Sequence, residues 1–100
     1  MALTIKQDFE YRRKDWWKWW VWIDGPVNEL DGIDHVVYTL HPTFPNPVRT
    51  VRERKSNFRL ETSGWGAFPI YATAVRKDGA EIELNHYLRL EYPDGTPTTA

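Results

Sequence analysis

The stretch Lys77-Asp78-Gly79-Ala80-Glu81-Ile82-Glu83-Leu84-Asn85-His86-Tyr87-Leu88-Arg89-Leu90-Glu91-Tyr92 decides the class of fold. Its Asp78-Gly79 pair is a signal for a tight hairpin. After it, Ile82, Leu84, His86, Leu88, Leu90 and Tyr92 alternate strictly with Glu81, Glu83, Asn85, Tyr87, Arg89 and Glu91. A period of two puts one set on each face of a strand, so the pattern predicts a half-buried strand running to Tyr92. Ala67 to Val75 is the strand on the other side of the hairpin.

Working outward, Leu3, Ile5, Phe9 and Tyr11 fall on odd positions and Lys6, Asp8, Glu10 and Arg12 on even ones, a strand pattern broken only by Gln7. The run Trp16 to Ile23 sends Trp16, Trp20 and Trp22 to one face and Trp17, Trp19, Val21 and Ile23 to the other, and Asp24-Gly25-Pro26 ends it. Ile33 to Leu40 is β-branched and aromatic, with Ile33, His35, Val37 and Thr39 on one face and Val36, Tyr38 and Leu40 on the other. His41-Pro42-Thr43-Phe44-Pro45-Asn46-Pro47 has three prolines in seven residues and predicts an ordered loop. Phe58 and Leu60 begin a short strand that ends in Ser63-Gly64-Trp65-Gly66. Short strands at close intervals without a convincing amphipathic helix predict an all-β fold, an immunoglobulin-like antiparallel β-sandwich of about seven to eight strands, with a small barrel as the alternative. Residues 1–92 form the domain, and 93–100 read as a polar tail or linker.

A chain of 100 residues has room for one core. A net charge of -1 argues against duplex DNA as a partner, because phosphate binding leaves a basic footprint. No apolar run approaches the roughly 20 residues of a membrane-spanning helix, so no membrane insertion is expected. The absence of cysteine excludes a disulfide scaffold, a thiolate metal site and a cysteine nucleophile, and makes the cytoplasm the default compartment. Ser56 and Ser63 are the only serines and neither sits in a nucleophile elbow, so the chain is not expected to be an enzyme. His35, His41 and His86 lie far apart in sequence; His35 and His86 fall on apolar faces, where hydrogen-bonded core histidines are commoner than metal ligands, and no metal or cofactor is expected.

Two loops carry aromatics beside polar groups: His41-Pro42-Thr43-Phe44 and Gly64-Trp65-Gly66-Ala67-Phe68. Loops at one end of a sandwich converge, so Phe44 and Trp65 can face each other across a slot suited to a flat, polarisable group such as an amide. Thr43 supplies a hydroxyl, the backbone near Trp65 an N–H, and His41 orders the loop or adds a bond. The competing reading makes Phe44 and Trp65 core residues plugging the end of the sandwich. Trp16, Trp20 and Trp22 suggest a different site, a stacking platform for sugars or single-stranded bases, although core packing explains them as well. The basic run Arg49, Arg52, Arg54, Lys55 and Arg59 reads as a solvated edge, with steering of an acidic partner or nucleic acid as its other use.

The segments Trp19-Trp20-Val21-Trp22-Ile23-Asp24-Gly25-Pro26, Val36-Val37-Tyr38-Thr39-Leu40-His41-Pro42-Thr43-Phe44-Pro45-Asn46-Pro47, Glu61-Thr62-Ser63-Gly64-Trp65-Gly66-Ala67-Phe68 and His86-Tyr87-Leu88-Arg89-Leu90 resemble, in order, those of the YEATS domain family. The resemblance covers most of Trp16 to Tyr92, and is nearest to the prokaryotic YEATS-like modules. Pro42, Trp16 and Trp17 depart from the eukaryotic pattern. The resemblance implies a non-enzymatic reader of acylated lysine, of acetyl or crotonyl type. Phe44 and Trp65 would sandwich the acyl-amide, Thr43 would bond it and His41 would line the pocket. Trp65 would give its backbone N–H to the acyl carbonyl, with Gly64 and Gly66 letting the ligand approach. The implied partner is an acylated protein or peptide, with nucleic acid not expected, and fusion to or association with another domain after residue 100 is compatible with such a module. The alternatives are a carbohydrate or single-strand binding platform on the Trp-rich strand and a purely structural interaction domain.

Overall fold

A computed structural model describes residues 3–97 and shows seven strands. These are β1 (Thr4–Tyr11), β2 (Trp17–Asp24), β3 (Ile33–Thr39), β4 (Val48–Val51), β5 (Leu60–Gly64), β6 (Pro69–Arg76) and β7 (Glu81–Tyr87). A short helix, α1 (Val27–Asp31), follows β2, and a 3-10 turn over Arg54–Ser56 precedes β5. The strands form two antiparallel sheets, ordered β1-β2-β5 and β4-β3-β6-β7. The expected sandwich is therefore observed.

The core lies between the sheets. From β2, the alternate residues Trp17, Trp19, Val21 and Ile23 are completely buried, and β3 and β6 answer with Val36, Tyr38, Ile70, Ala72 and Ala74. The outward row of β2 does not enter that core: Trp20 and Trp22 stay half-buried, with the Arg59 guanidinium over the Trp20 ring at 4.9 Å. Arg59 in turn bonds Glu61 at 2.8 Å. The supposed platform is thus divided, since Trp16 lies at the other end of the strand beside the two loops.

The structure changes the reading of three places. Ile33 joins the core face of Val36 and Tyr38 instead of the face of His35 and Val37, because a bulge between Ile33 and His35 changes the parity of β3. The segment 48–51, read from sequence as part of a solvated basic edge and not counted as a strand, is an edge strand paired with β3. Neither His35 nor His86 is a core histidine; both are half-buried. His35 Nδ1 lies 2.7 Å from the Asp34 carboxylate, which also takes Arg52 at 3.0 Å. Arg54 meets Asp31 at 2.9 Å, so the basic run is largely consumed in local ion pairs.

Phe58 carries a left-handed backbone (φ 59°), unfavourable for a bulky side chain. Its compensation is visible: the ring is fully buried, its N–H donates to Glu53 O at 2.9 Å, and its carbonyl accepts the Tyr38 hydroxyl at 2.6 Å. Burial pushes that phenol well above its ordinary range, so it remains a donor.

The last strand ends at Tyr87 although its alternation continues to Tyr92. Beyond Leu88, whose N–H donates to Phe68 O at 2.9 Å, the chain crosses toward the other sheet. Gln7 receives it: its amide donates to Arg89 O at 2.6 Å and accepts the Arg89 N–H at 2.8 Å, reproducing a ladder pair with a side chain. The Gln7 carbonyl also lies 2.7 Å from His86 Nε2, and Trp17 Nε1 donates to Glu91 O at 2.8 Å. The single break in the β1 alternation is thus the residue that closes the sandwich. The tail then turns back, Tyr92 N–H bonding Thr96 O at 2.8 Å, and residues 98–100 of the expected tail lie outside the described residues.

Truncation by Gln7→Ala leaves both Arg89 backbone groups and His86 without these partners, and should lower the unfolding free energy in urea by about 1–3 kcal/mol. His86 is also pH-sensitive. Desolvation, then the nearby Arg89 charge, hold its imidazole below the ordinary value of 6.5. Since the folded state resists protonation that the unfolded chain accepts, this contribution is complete above 6.5 and is lost as pH falls toward the folded value. His86→Gln should flatten that part of the stability profile in denaturant titrations at successive pH values.

Candidate functional site

The loop after β3 is stiff by sequence and by bonding. Its prolines fix φ repeatedly, Leu40 N–H donates to Pro47 O at 2.8 Å across its base, and Phe44 N–H donates to His41 O at 3.0 Å within it. Arg49, on the edge strand, grips the loop from outside, donating from Nε to Asn46 O at 2.8 Å and from Nη2 to Pro45 O at 2.9 Å. Inside the loop His41 Nδ1 accepts the Thr43 N–H at 3.2 Å and lies 2.9 Å from Thr43 Oγ1. Since Nδ1 accepts, the threonine hydroxyl can turn its proton to the imidazole and leave its oxygen lone pairs outward.

The Phe44 ring settles on the core. It packs tilted against Phe68 at 5.2 Å between centroids and edge-on to Trp19 at 6.1 Å. Gly64 makes this seat possible: a Cβ there would stand 3.3 Å from Phe44 Cζ and 3.6 Å from Trp19 Nε1. The resemblance implies that Gly64 lets a ligand approach; the structure adds that its missing side chain makes room for Phe44. Trp19 Nε1 is buried beneath this contact with no hydrogen-bond partner among the described residues. The neighbouring Trp65 is different, being 55% exposed. Among the described residues, no acceptor takes its backbone N–H.

A cavity of about 480 Å³ opens between these loops. His41, Thr43, Phe44, Gly64, Trp65 and Gly66, the six residues singled out from sequence, all line it. Phe44 is the half-buried wall and Trp65 the exposed one, so the two readings of the aromatic pair divide: one ring is a plug against the core and the other stands free. Sequence reasoning missed Trp16 and Arg49 as lining residues. Trp16 is 43% exposed just before β2, and its place beside the cavity follows from the pairing of Trp17 with Gly64 across β2 and β5. Arg49 was hidden within the basic run, and only the edge strand brings it to the loop.

The family model of the prokaryotic YEATS domain matches residues 17–89. The chain belongs to the YEATS domain family. Transcription initiation factor TFIID subunit 14 of Schizosaccharomyces pombe is 38% identical over 68 residues, covering 67% of this chain and 27% of that protein. The protein AF-9 homolog of Saccharomyces cerevisiae is 39% identical over 83 residues, covering 79% of this chain and 36% of that protein. The chain thus spans about a third of the length of these curated relatives. Among solved structures, the Yaf9 YEATS domain bound to H3K27ac superposes with a TM-score of 0.66 at 27% identity, over 97% of this chain and 74% of that one. The Yaf9 YEATS domain recognising an H3K122suc peptide gives 0.59 at 31% identity, over 97% and 73%. The matching family model is prokaryotic, whereas these two curated relatives come from yeasts.

In this YEATS domain the seat of Phe44 is testable. Gly64→Ala should push the ring by a few tenths of an ångström and lower stability by about 1 kcal/mol, and Gly64→Val should cost more, as overpacking does. Urea denaturation with near-ultraviolet circular dichroism of the Trp19 and Phe44 environment would show it; an unchanged stability and spectrum for both variants would contradict the seat.

Proposed function

We propose that this chain is a non-enzymatic recognition module that holds an acylated lysine of a protein or peptide in the slot between the two loops. An acyl-lysine side chain ends in a flat secondary amide with one N–H donor and one carbonyl acceptor. The observation that carries the reading is the matching polarity of the cavity: Thr43 Oγ1 with lone pairs released by His41 on one loop, and the unclaimed Trp65 N–H on the other. Phe44 and Trp65 offer faces for the conjugated amide, on which flat acyl groups such as crotonyl gain most. The relatives whose structures contain H3K27ac or an H3K122suc peptide support an acylated-lysine ligand.

Hydrolysis fits less well. The His41–Thr43 pair lacks an orienting acid, because no carboxylate among the described residues lines the cavity. The Trp-strand platform is also weaker, as the Trp20 ring lies under Arg59 and Trp16 belongs to the cavity. Residues 1–92 are the recognition module in this reading and 93–100 its tail. Among the described residues no helix is long and apolar enough to cross a membrane, and the absence of cysteine suits a reducing cytoplasm.

Calorimetric titration with matched peptides carrying unmodified, acetyl-, butyryl- and crotonyl-lysine tests the proposal. Only the acylated peptides should bind. Trp65→Ala should remove binding while changing stability by less than about 0.5 kcal/mol, since the ring is exposed. No heat with any peptide, or a large loss of stability in the variant, would sink the reading.

A further inference from the structure

We infer that the outer face of the four-stranded sheet, at the end next to the slot, is a second contact surface, and that the chain flanking the acyl-lysine lies on it with apolar side chains. The inference rests on the acyl-lysine reading of the slot and adds the chemistry of the flank. The large apolar residues exposed among the described residues are Trp16, Val27, Val48, Trp65, Tyr71 and Tyr87. Trp16 and Trp65 line the cavity. Val48, Tyr71 and Tyr87, each more than half exposed, come together on one sheet face. Thr39 pairs with Val48 on β4 and with Tyr71 on β6, and Tyr71 pairs with Asn85 on β7, which makes one cross-strand row. All four are exposed, while Tyr38, Leu40, Ile70 and Ala72 beside them are buried, so the row faces outward. The next row, toward the slot, holds Pro69 paired with Tyr87. Two residues past Thr39 the exposed His41 stands beside this row, its ring 6.1 Å from that of Phe68, the residue before Pro69. His41 also lines the cavity, so patch and slot share a rim.

These two rows carry no carboxylate, lysine or arginine. Charge begins one row further from the slot, at Glu83, which accepts the Thr73 hydroxyl at 3.2 Å. The outer face of the other sheet is built differently, with exposed Lys6, Asp8 and Glu10 on β1 and Lys18 on β2. Tyrosine and β-branched residues suit a pleated strand, but that charged face shows that strand formation here does not require an uncharged one. An extended chain advances about 3.3 Å per residue, so side chains two to four positions from the acyl-lysine cover the distance from the rim across both rows. A charged side chain there would lose water against rings that offer no counter-charge in either row. An apolar one covers the rings and removes their surface from water.

Calorimetry at low and high salt provides the test, with peptides that carry one acyl-lysine between glycine-serine, leucine-valine, acidic or basic flanks, and an unmodified leucine-valine control. The leucine-valine acylated peptide should bind tightest, on the order of tenfold above the glycine-serine one. That ratio should persist at high salt, where a charge-based preference is screened. Tyr71→Ser with Tyr87→Ser should bring the ratio close to one, and the domain should stay folded because both rings are exposed. On the unsubstituted domain, the ring-proton NMR signals of Tyr71 and Tyr87 should move with the leucine-valine peptide and stay in place with the glycine-serine one. Equal affinities, an acidic or basic preference, a ratio unchanged in the double variant, or tyrosine signals that ignore the leucine-valine flank would overturn the inference. Failure of every acylated peptide to bind, or equal binding of the unmodified control, would overturn the slot reading and this inference with it; binding of the glycine-serine acylated peptide with no apolar advantage would overturn the inference alone.

Discussion

The contact of the Phe44 ring with Gly64, over the edge of Trp19, ties the loop after β3 to the hydrophobic core. Trp19 is completely buried in the row that β2 contributes to the core, so its position is set by sandwich packing. Gly64 is placed opposite Trp17 by the β2–β5 register. With both fixed, Phe44 has one seat, and the loop that carries it is held at both ends by Leu40–Pro47 and by the Arg49 clamp. The cavity wall is an extension of the core and inherits its rigidity. Under that seat the Trp19 N–H has no acceptor among the described residues.

A second constraint concerns the sheets. A sandwich held only by side-chain packing leaves its side edges open, and an open edge exposes unpaired backbone groups. Here the segment after β7 passes from one sheet toward the other, and Gln7 and Trp17 tie it to the second sheet by side-chain bonds. Tyr11, Trp17 and Tyr92 cluster with centroids 5.0–5.6 Å apart at the same edge, adding apolar weight to the crossing.

Much of this was legible because period-two patterning is a direct consequence of strand geometry. The strong alternations around Ile82 and Leu3 located their strands, and the resemblance of the two loops led to the six residues that line one cavity. The losses have physical causes. Alternation specifies a face without specifying a pairing partner, so residues 88–92 read as more of β7. A bulge conserves composition while reversing parity, which hid the burial of Ile33. The four-residue strand β4 was hidden because its valines are separated by Arg49 and Thr50, and with it went the route by which Arg49 reaches the cavity. Gln7 was visible as an irregularity, but the bonds it makes with Arg89 are separated by 82 positions and leave no local signature.

The two aromatic walls differ in what they do for the free protein. Phe44 gains contacts with Phe68 and Trp19 and thereby contributes to folding. Trp65 keeps more than half of its surface in water, forgoing apolar burial worth roughly 25 cal/mol per Å². Its neighbours on both sides are glycines, so the chain places a large ring between residues that cannot cover it. Folding alone gives little reason for that choice. A flat group entering against Phe44 would bury the free face of Trp65 and meet an N–H that no acceptor among the described residues uses, completing on binding what the fold leaves open.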